Sequence, residues 1–197
     1  MLVDKTVKDL LDAFEAPTPT PGGGSAAALS GAVAAALLAM VAGMPKTKTG
    51  APEERAALDA ALPEIKELRA RLTDLIDRDS ASYDAVVAAY KLPKATEAEK
   101  ADRKAAIRRA MRGATDVPLE TARAAGHLVA LGRTVATHGN PNARTDAAVA
   151  VQMARTAVTG AVQNVEINLD GVGDEGYAGS VRSELDSLRI AMSNFEL

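Results

Sequence analysis

Residues 17–44 read PTPTPGGGSAAALSGAVAAALLAMVAGM, and no other stretch restricts the fold so strongly. Ala26 to Met44 carries no charge, and Ala fills most of its apolar positions. Ala is the best intrinsic helix former, and small side chains let neighbouring backbones approach closely. A helix that is apolar all round belongs at the centre of a bundle. The stretch is about long enough to span a bilayer. However, Leu is scarce and no aromatic or basic anchor flanks its start, so a buried core helix is expected instead. Pro17, Pro19 and Pro21 exclude helix before it and imply a stiff, polyproline-like arm. Ser25 is the expected N-cap, and Gly43 with Pro45 closes the helix.

The rest of the chain is helical by periodicity. Thr6 to Glu15 places Val7, Leu10, Leu11 and Phe14 on one side. After a loop at Lys46–Pro52, an apolar stripe steps by three and four through Ile65, Leu68, Leu72, Leu75, Ile76, Tyr83, Val86, Val87 and Tyr90. This predicts a helix from Glu53 to about Tyr90, kinked or restarted at Pro63. Leu92-Pro93 ends it. Thr96 and Glu99 form a capping box for a helix to about Arg112. A break at Ala114–Pro118 is expected, then a helix to His138, a turn at HGNPN, and a helix from Asp146 to Leu169 ended by Gly171 and Gly173. A last helix carries Tyr177, Val181, Leu185, Leu188, Met192 and Phe195. With no β-branched alternation and no repeat, the expectation is an all-α bundle of six or seven helices, two or three of them long. It forms one domain over residues 1–197.

Composition removes several functions. Net charge is −3, so there is no basic excess for nucleic acid. There is no Cys, and His127 and His138 are the only histidines. Disulfides, thiolate nucleophiles and His- or Cys-rich metal sites are excluded, while a carboxylate site for a hard cation is not. The N-terminal MLVDKTVKDLLDAFEA is acidic and amphipathic, without the features of a signal peptide. A cytoplasmic location and no membrane partner are therefore expected.

Three places can carry chemistry. Gly22, Gly23 and Gly24 precede a helix, where free amides and the dipole attract negative charge or a carbonyl oxygen. They serve either close ligand approach or a clash-free connection. Asp79 falls on the apolar stripe, where a carboxylate needs a partner and where burial raises its pKa toward the range of a general acid or base. The alternatives are a buried ion pair or a locally exposed stripe. Asp77 lies off the stripe and is expected to be solvated. In GNPNARTD, the residues Asn140, Asn142, Thr145 and Asp146 also suit an ordinary turn and N-cap. Asn164 and Asn168 sit one turn apart in an apolar helix and need partners, either neighbouring helices or a polar heterocycle. Lys91 and Lys94 suit a helix C-terminus or a ligand carboxylate. His127 and His138 are weak candidates.

PTPGGGSAAALSGAVAAALLAMV, AYKLPKATEAEK, TDVPL and GNPNARTDAAVA…NVEINL together resemble the cyclodeaminase/cyclohydrolase family, over nearly the whole chain. The resemblance implies a small, all-α, metal-free homodimer with no tightly bound cofactor. It acts on a one-carbon unit held by N5 and N10 of tetrahydrofolate, alongside a formiminotransferase on a separate chain. It also implies a site built from Gly22–Gly24, Ser25, Asp79, Lys94, Asn140, Asp146 and Asn164. In this assignment Asp79, then Asp146, moves protons. Asn140 and Asn164 bind the pterin, the glycine amides hold a pterin carbonyl, and Lys94 holds the glutamate tail. The leading expectation is formimidoyltetrahydrofolate cyclodeaminase, which closes the ring and releases ammonia. The alternatives are methenyltetrahydrofolate cyclohydrolase on the same scaffold and a non-catalytic folate-binding dimer.

Overall fold

The structure is a computed structural model that describes residues 1–193. Phe195, expected on the last helical stripe, lies outside the described residues. Among those described there are six α-helices and no strand: α1 Val7–Glu15, α2 Gly23–Gly43, α3 Pro52–Tyr90, α4 Glu97–His138, α5 Arg144–Leu169 and α6 Glu175–Ser193. Short 3-10 turns occupy Leu2–Asp4 and Pro141–Ala143. α2, α3, α4 and α5 form a four-helix ring in which each packs on two neighbours, and α6 lies against α4 and α5.

Contrary to what its sequence suggested, α2 is not buried all round: it packs on α3 and α5 and leaves Val33 and Met40 exposed on its outer face. It is long and apolar enough to cross a membrane by length and composition, with a mean hydropathy of 2.0. Its Ala28, Ala34, Ala35 and Leu38 are fully buried against the ring. Small residues set the spacing: a Cβ at Gly31 would lie 3.0 Å from Leu72 Cδ2 and 3.5 Å from Ala157 Cβ. Leu72 is itself fully buried. Leu72→Ala is therefore expected to cost roughly 2–5 kcal/mol, read from urea unfolding. A cost below ~1 kcal/mol would mean that the α2–α3 seam is looser than described.

Two expected breaks are absent. Pro63 lies inside one uninterrupted helix of 39 residues, and Pro118 inside another of 42 residues. A proline cannot donate to the carbonyl four residues before it. At Pro118 the orphaned acceptor is Ala114 O, and Asn168 Nδ2 donates to it from α5 at 2.7 Å. A neighbouring helix thus repairs the gap, and the two helices expected on either side of residues 114–118 are one. The capping box at Thr96 and Glu99 is present. Thr6 likewise caps α1 by accepting from Asp9 N at 3.1 Å.

The arm before α2 is not a straight polyproline rod. It bends at residues 16–21, where Thr18 N donates to Ala16 O, and its Thr20–Pro21 peptide is cis. Helix lengths then place the working end of the molecule. α3 runs antiparallel to α2 and continues roughly 17 Å past Asp79, which stands beside the α2 N-terminus. The α3–α4 hairpin therefore projects beyond the α2 end of the ring.

Candidate active site

Ser25 does not cap α2. The N-cap is Gly22, with extended backbone, and Ser25 is the third residue of the helix. Its side chain is completely buried and turns sideways onto α3. There Ser25 Oγ donates to Asp79 Oδ2 at 2.9 Å and shares a 3.1 Å hydrogen bond with Ser80 Oγ. The Ser25 amide also donates to the Asp79 carboxylate. Asp79 thus reaches across from another helix to satisfy one of the free N–H groups that open α2.

The pKa of Asp79 is raised above the usual carboxylate value. Burial is the largest cause, and the Ser25 hydroxyl and amide pull in the opposite direction. No cation contributes. Asp79 is therefore a desolvated, hydrogen-bonded carboxyl rather than half of an ion pair, which settles one of the alternatives left open by its place on the stripe.

The three glycines work through their missing side chains. Among the described residues positive φ occurs only at Gly50 and Gly173, so Gly22–Gly24 need no left-handed backbone. A Cβ at Gly24 would lie 2.6 Å from Asp79 Cγ, inside van der Waals contact. A Cβ at Gly23 would lie 3.3 Å from Asn164 Nδ2. The bare start of α2 admits a carboxyl from α3 and an amide from α5. Asn164 Nδ2 donates to Gly160 O at 2.8 Å, which fixes the side chain.

These groups line a cavity of about 230 Å³. Its wall includes Gly22, Gly23, Gly24, Asp79, Tyr83 and Asn164, with Asn168 and the exposed Ile167 on the α5 side. Tyr83 is 42% exposed and is the only other titratable side chain in the lining. Sequence reasoning placed Tyr83 only on the apolar stripe. Its partial exposure follows from the projection of α3 past the end of α2.

Three expected site residues lie elsewhere. Lys94 is exposed in the α3–α4 connection and does not line the cavity, because α3 carries that connection well beyond it. Asn140 accepts from Asn142 N at 3.0 Å and lines a separate cavity of about 400 Å³ with Lys48 and Arg144. Asp146 is half-buried in the first turn of α5, where a carboxylate stabilises the helix dipole. Eighteen residues of straight helix separate Asp146 from Asn164, roughly 27 Å. Within one chain, GNPNARTD and Asn164 therefore belong to opposite ends of the bundle.

One more expectation changes, and one alternative left open is decided. Asp77 is not solvated: it accepts from Leu2 N at 2.5 Å and Val3 N at 3.5 Å, pinning the N-terminal turn to α3. Asn168 lines the cavity, but its amide hydrogen is committed to Ala114 O. The Pro in TDVPL was the signal for that partnership. His127 is a surface residue 3.2 Å from Glu64 Oε2.

The family model for formiminotransferase-cyclodeaminase matches residues 6–187. The chain belongs to this family. Methenyltetrahydrofolate cyclohydrolase of Methylorubrum extorquens is 41% identical, over 95% of this chain and 90% of that protein. Formimidoyltransferase-cyclodeaminase of Sus scrofa is 34% identical over 95% of this chain, which spans only 35% of its length. Formiminotetrahydrofolate cyclodeaminase of Thermotoga maritima has the same fold, with a TM-score of 0.85, 26% identity, and coverage of 98% of this chain and 92% of that one. Membership of the family and the all-α architecture thus agree with the motifs that carried the resemblance.

Proposed function

We propose that this member of the formiminotransferase-cyclodeaminase family is a methenyltetrahydrofolate cyclohydrolase. This reverses the order expected from the motifs alone. The observation that carries the reversal is the 41% identity to a cyclohydrolase matched over 90% of its length. The cyclodeaminase reading stands second, supported by the 34% identical Sus scrofa protein and the Thermotoga maritima fold.

The Asp79 cavity supports hydrolysis of a cationic bridge. At about 230 Å³ it is smaller than pockets that enclose a whole drug-sized ligand. It fits one end of the substrate, the pterin with its one-carbon bridge, and leaves the rest outside along the α3–α4 hairpin. The Asp79 carboxylate attracts the delocalised methenyl cation. As a water oxygen bonds to the bridge carbon, Asp79 takes a proton from that water. One C–N bond then breaks. Asp79 returns its proton to the departing nitrogen, and the new hydroxyl loses its proton to leave a formyl group. A carboxyl whose pKa is raised by burial is suited to both halves of that exchange. Asn164 Oδ1 and the Gly23 and Gly24 amides are available to the pterin edge.

The test uses the two folates separately. With 5,10-methenyltetrahydrofolate, the methenyl absorbance is expected to fall far faster than without protein. With 5-formiminotetrahydrofolate, little or no methenyl absorbance is expected to appear. A rise in the second assay would favour the cyclodeaminase. Turnover of neither would favour a non-catalytic folate-binding dimer.

The same proposal includes a homodimer. Val7 of α1 and Val33 of α2 are exposed and line an apolar groove, and Leu11 and Met40 are exposed elsewhere on the same two helices. Val33→Asp places a charge in the lining of this groove. It is expected to convert a dimer to monomer in light scattering. An unchanged mass would place the contact elsewhere.

A further inference from the structure

Ser25 is fully buried, and its single hydroxyl hydrogen has two neighbours to choose between. Asp79 Oδ2 lies 2.9 Å away on one side and Ser80 Oγ 3.1 Å away on the other. When Asp79 is ionised, its oxygen only accepts, so Ser25 must donate to it. When Asp79 is protonated on that oxygen, the acid donates to Ser25, and the Ser25 hydrogen must turn to another acceptor. Among the described residues, Ser80 Oγ is the acceptor that faces it.

We propose that Ser80 is a positioning residue for Asp79. Its hydroxyl receives the Ser25 hydrogen when Asp79 holds a proton and gives a hydrogen back when Asp79 is ionised. Both protonation states of the carboxyl then keep a complete set of hydrogen bonds. The three groups turn over together, and no heavy atom moves. Without Ser80 the protonated state leaves a buried donor unmatched, whereas the ionised state loses only a weak supporting bond. Ser80 therefore favours the acid form, and Ser25 favours the anion.

Among the described residues no other ionisable group competes for this role. α2 carries no charged residue, and α4 and α5 present Ala114, Asn164, Ile167 and Asn168 to the cavity. On α3, Tyr83 is the only other titratable residue in the lining. Asp77 is engaged by the Leu2 and Val3 amides, and Arg78 by Glu120 and Asp74.

The catalytic value of this device rests on Asp79 moving the proton, as proposed above, but the device itself can be read without turnover. Carbon-13 NMR of aspartate carboxyl carbons, with the Asp79 resonance assigned by its loss in Asp79→Asn, gives the titration midpoint directly. Ser80→Ala is expected to lower that midpoint by about 0.5–1 pH unit, the size of one neutral hydrogen bond. Ser25→Ala is expected to raise it, and Ser80→Thr, which keeps the hydroxyl, to leave it near the wild-type value. The acidic limb of the kcat profile should move down with the midpoint in Ser80→Ala. A midpoint in Ser80→Ala that is unchanged or raised overturns the proposal. Full turnover by Asp79→Asn would instead overturn the catalytic reading, and the NMR midpoints would still decide the role of Ser80.

Discussion

Asp79→Asn is expected to lower kcat for opening the methenyl bridge by about 10²–10⁴-fold, the usual contribution of a positioned acid–base group. It is not expected to lower stability at neutral pH. The folded-state pKa of Asp79 lies above its unfolded value because burial disfavours the charged form. A raised pKa means that the stabilising neutral form is fully present below the unfolded value and lost as pH rises through the folded one. Above its folded pKa the wild-type protein therefore carries the unfavourable anion. Asn offers a neutral group of the same shape, with an oxygen still able to accept from Ser25. Thermal melts across a pH series should show the variant at least as stable as wild type, with the difference shrinking as pH falls through the folded pKa of Asp79. Loss of activity together with a large drop in melting temperature would point instead to Asp79 as a structural cap for α2.

Gly24→Ala is the second large effect, and it separates position from charge. The new Cβ overlaps the Asp79 carboxyl group, which lies at the end of a side chain and can swing away. Ala is also the better helix residue, favoured by about 1 kcal/mol in a helix interior. Folding should therefore be nearly unaffected, while the carboxyl is driven off Ser25 and away from the substrate. A fall in kcat of about 10²-fold is expected, the scale of a misplacement near 1 Å. Gly23→Ala meets Asn164 Nδ2 at 3.3 Å, a contact that a small shift relieves, and its effect should be smaller. If Gly24→Ala were as active as wild type, the carboxyl would not need its present seat.

Much of this site was legible because physical conflicts show in a sequence. A carboxylate at position 79 interrupts an apolar stripe, and a conflict of that kind is resolved by a specific partner. Three bare residues before a helix also pointed to close approach. What approaches them first is Asp79 and Asn164, and only the fold could tell that from a ligand. Ser25 read as a cap because Ser just before an apolar run usually is one. The run of glycines let the helix start three residues earlier and freed the hydroxyl for Asp79.

The two prolines misled for another reason. Local rules treat Pro118 as a break, but Asn168, 50 residues later, answers its orphaned carbonyl. No local window contains that repair. Asn140 and Asp146 stood out in a polar turn that equally suited ordinary capping, and motif resemblance placed them in the expected site. Composition had already made them ordinary turn and first-turn residues, and the length of α5 keeps them far from Asp79.

The central claim is that the one-carbon bridge of the folate sits in the cavity between Gly23, Gly24, Asp79 and Asn164. A crystal structure of Asp79→Asn, soaked with 5,10-methenyltetrahydrofolate, tests it most directly. The account predicts the pterin against the start of α2, with its bridge carbon facing residue 79 and an edge on Asn164. A pterin seated instead in the cavity of Lys48, Asn140 and Arg144 would contradict it.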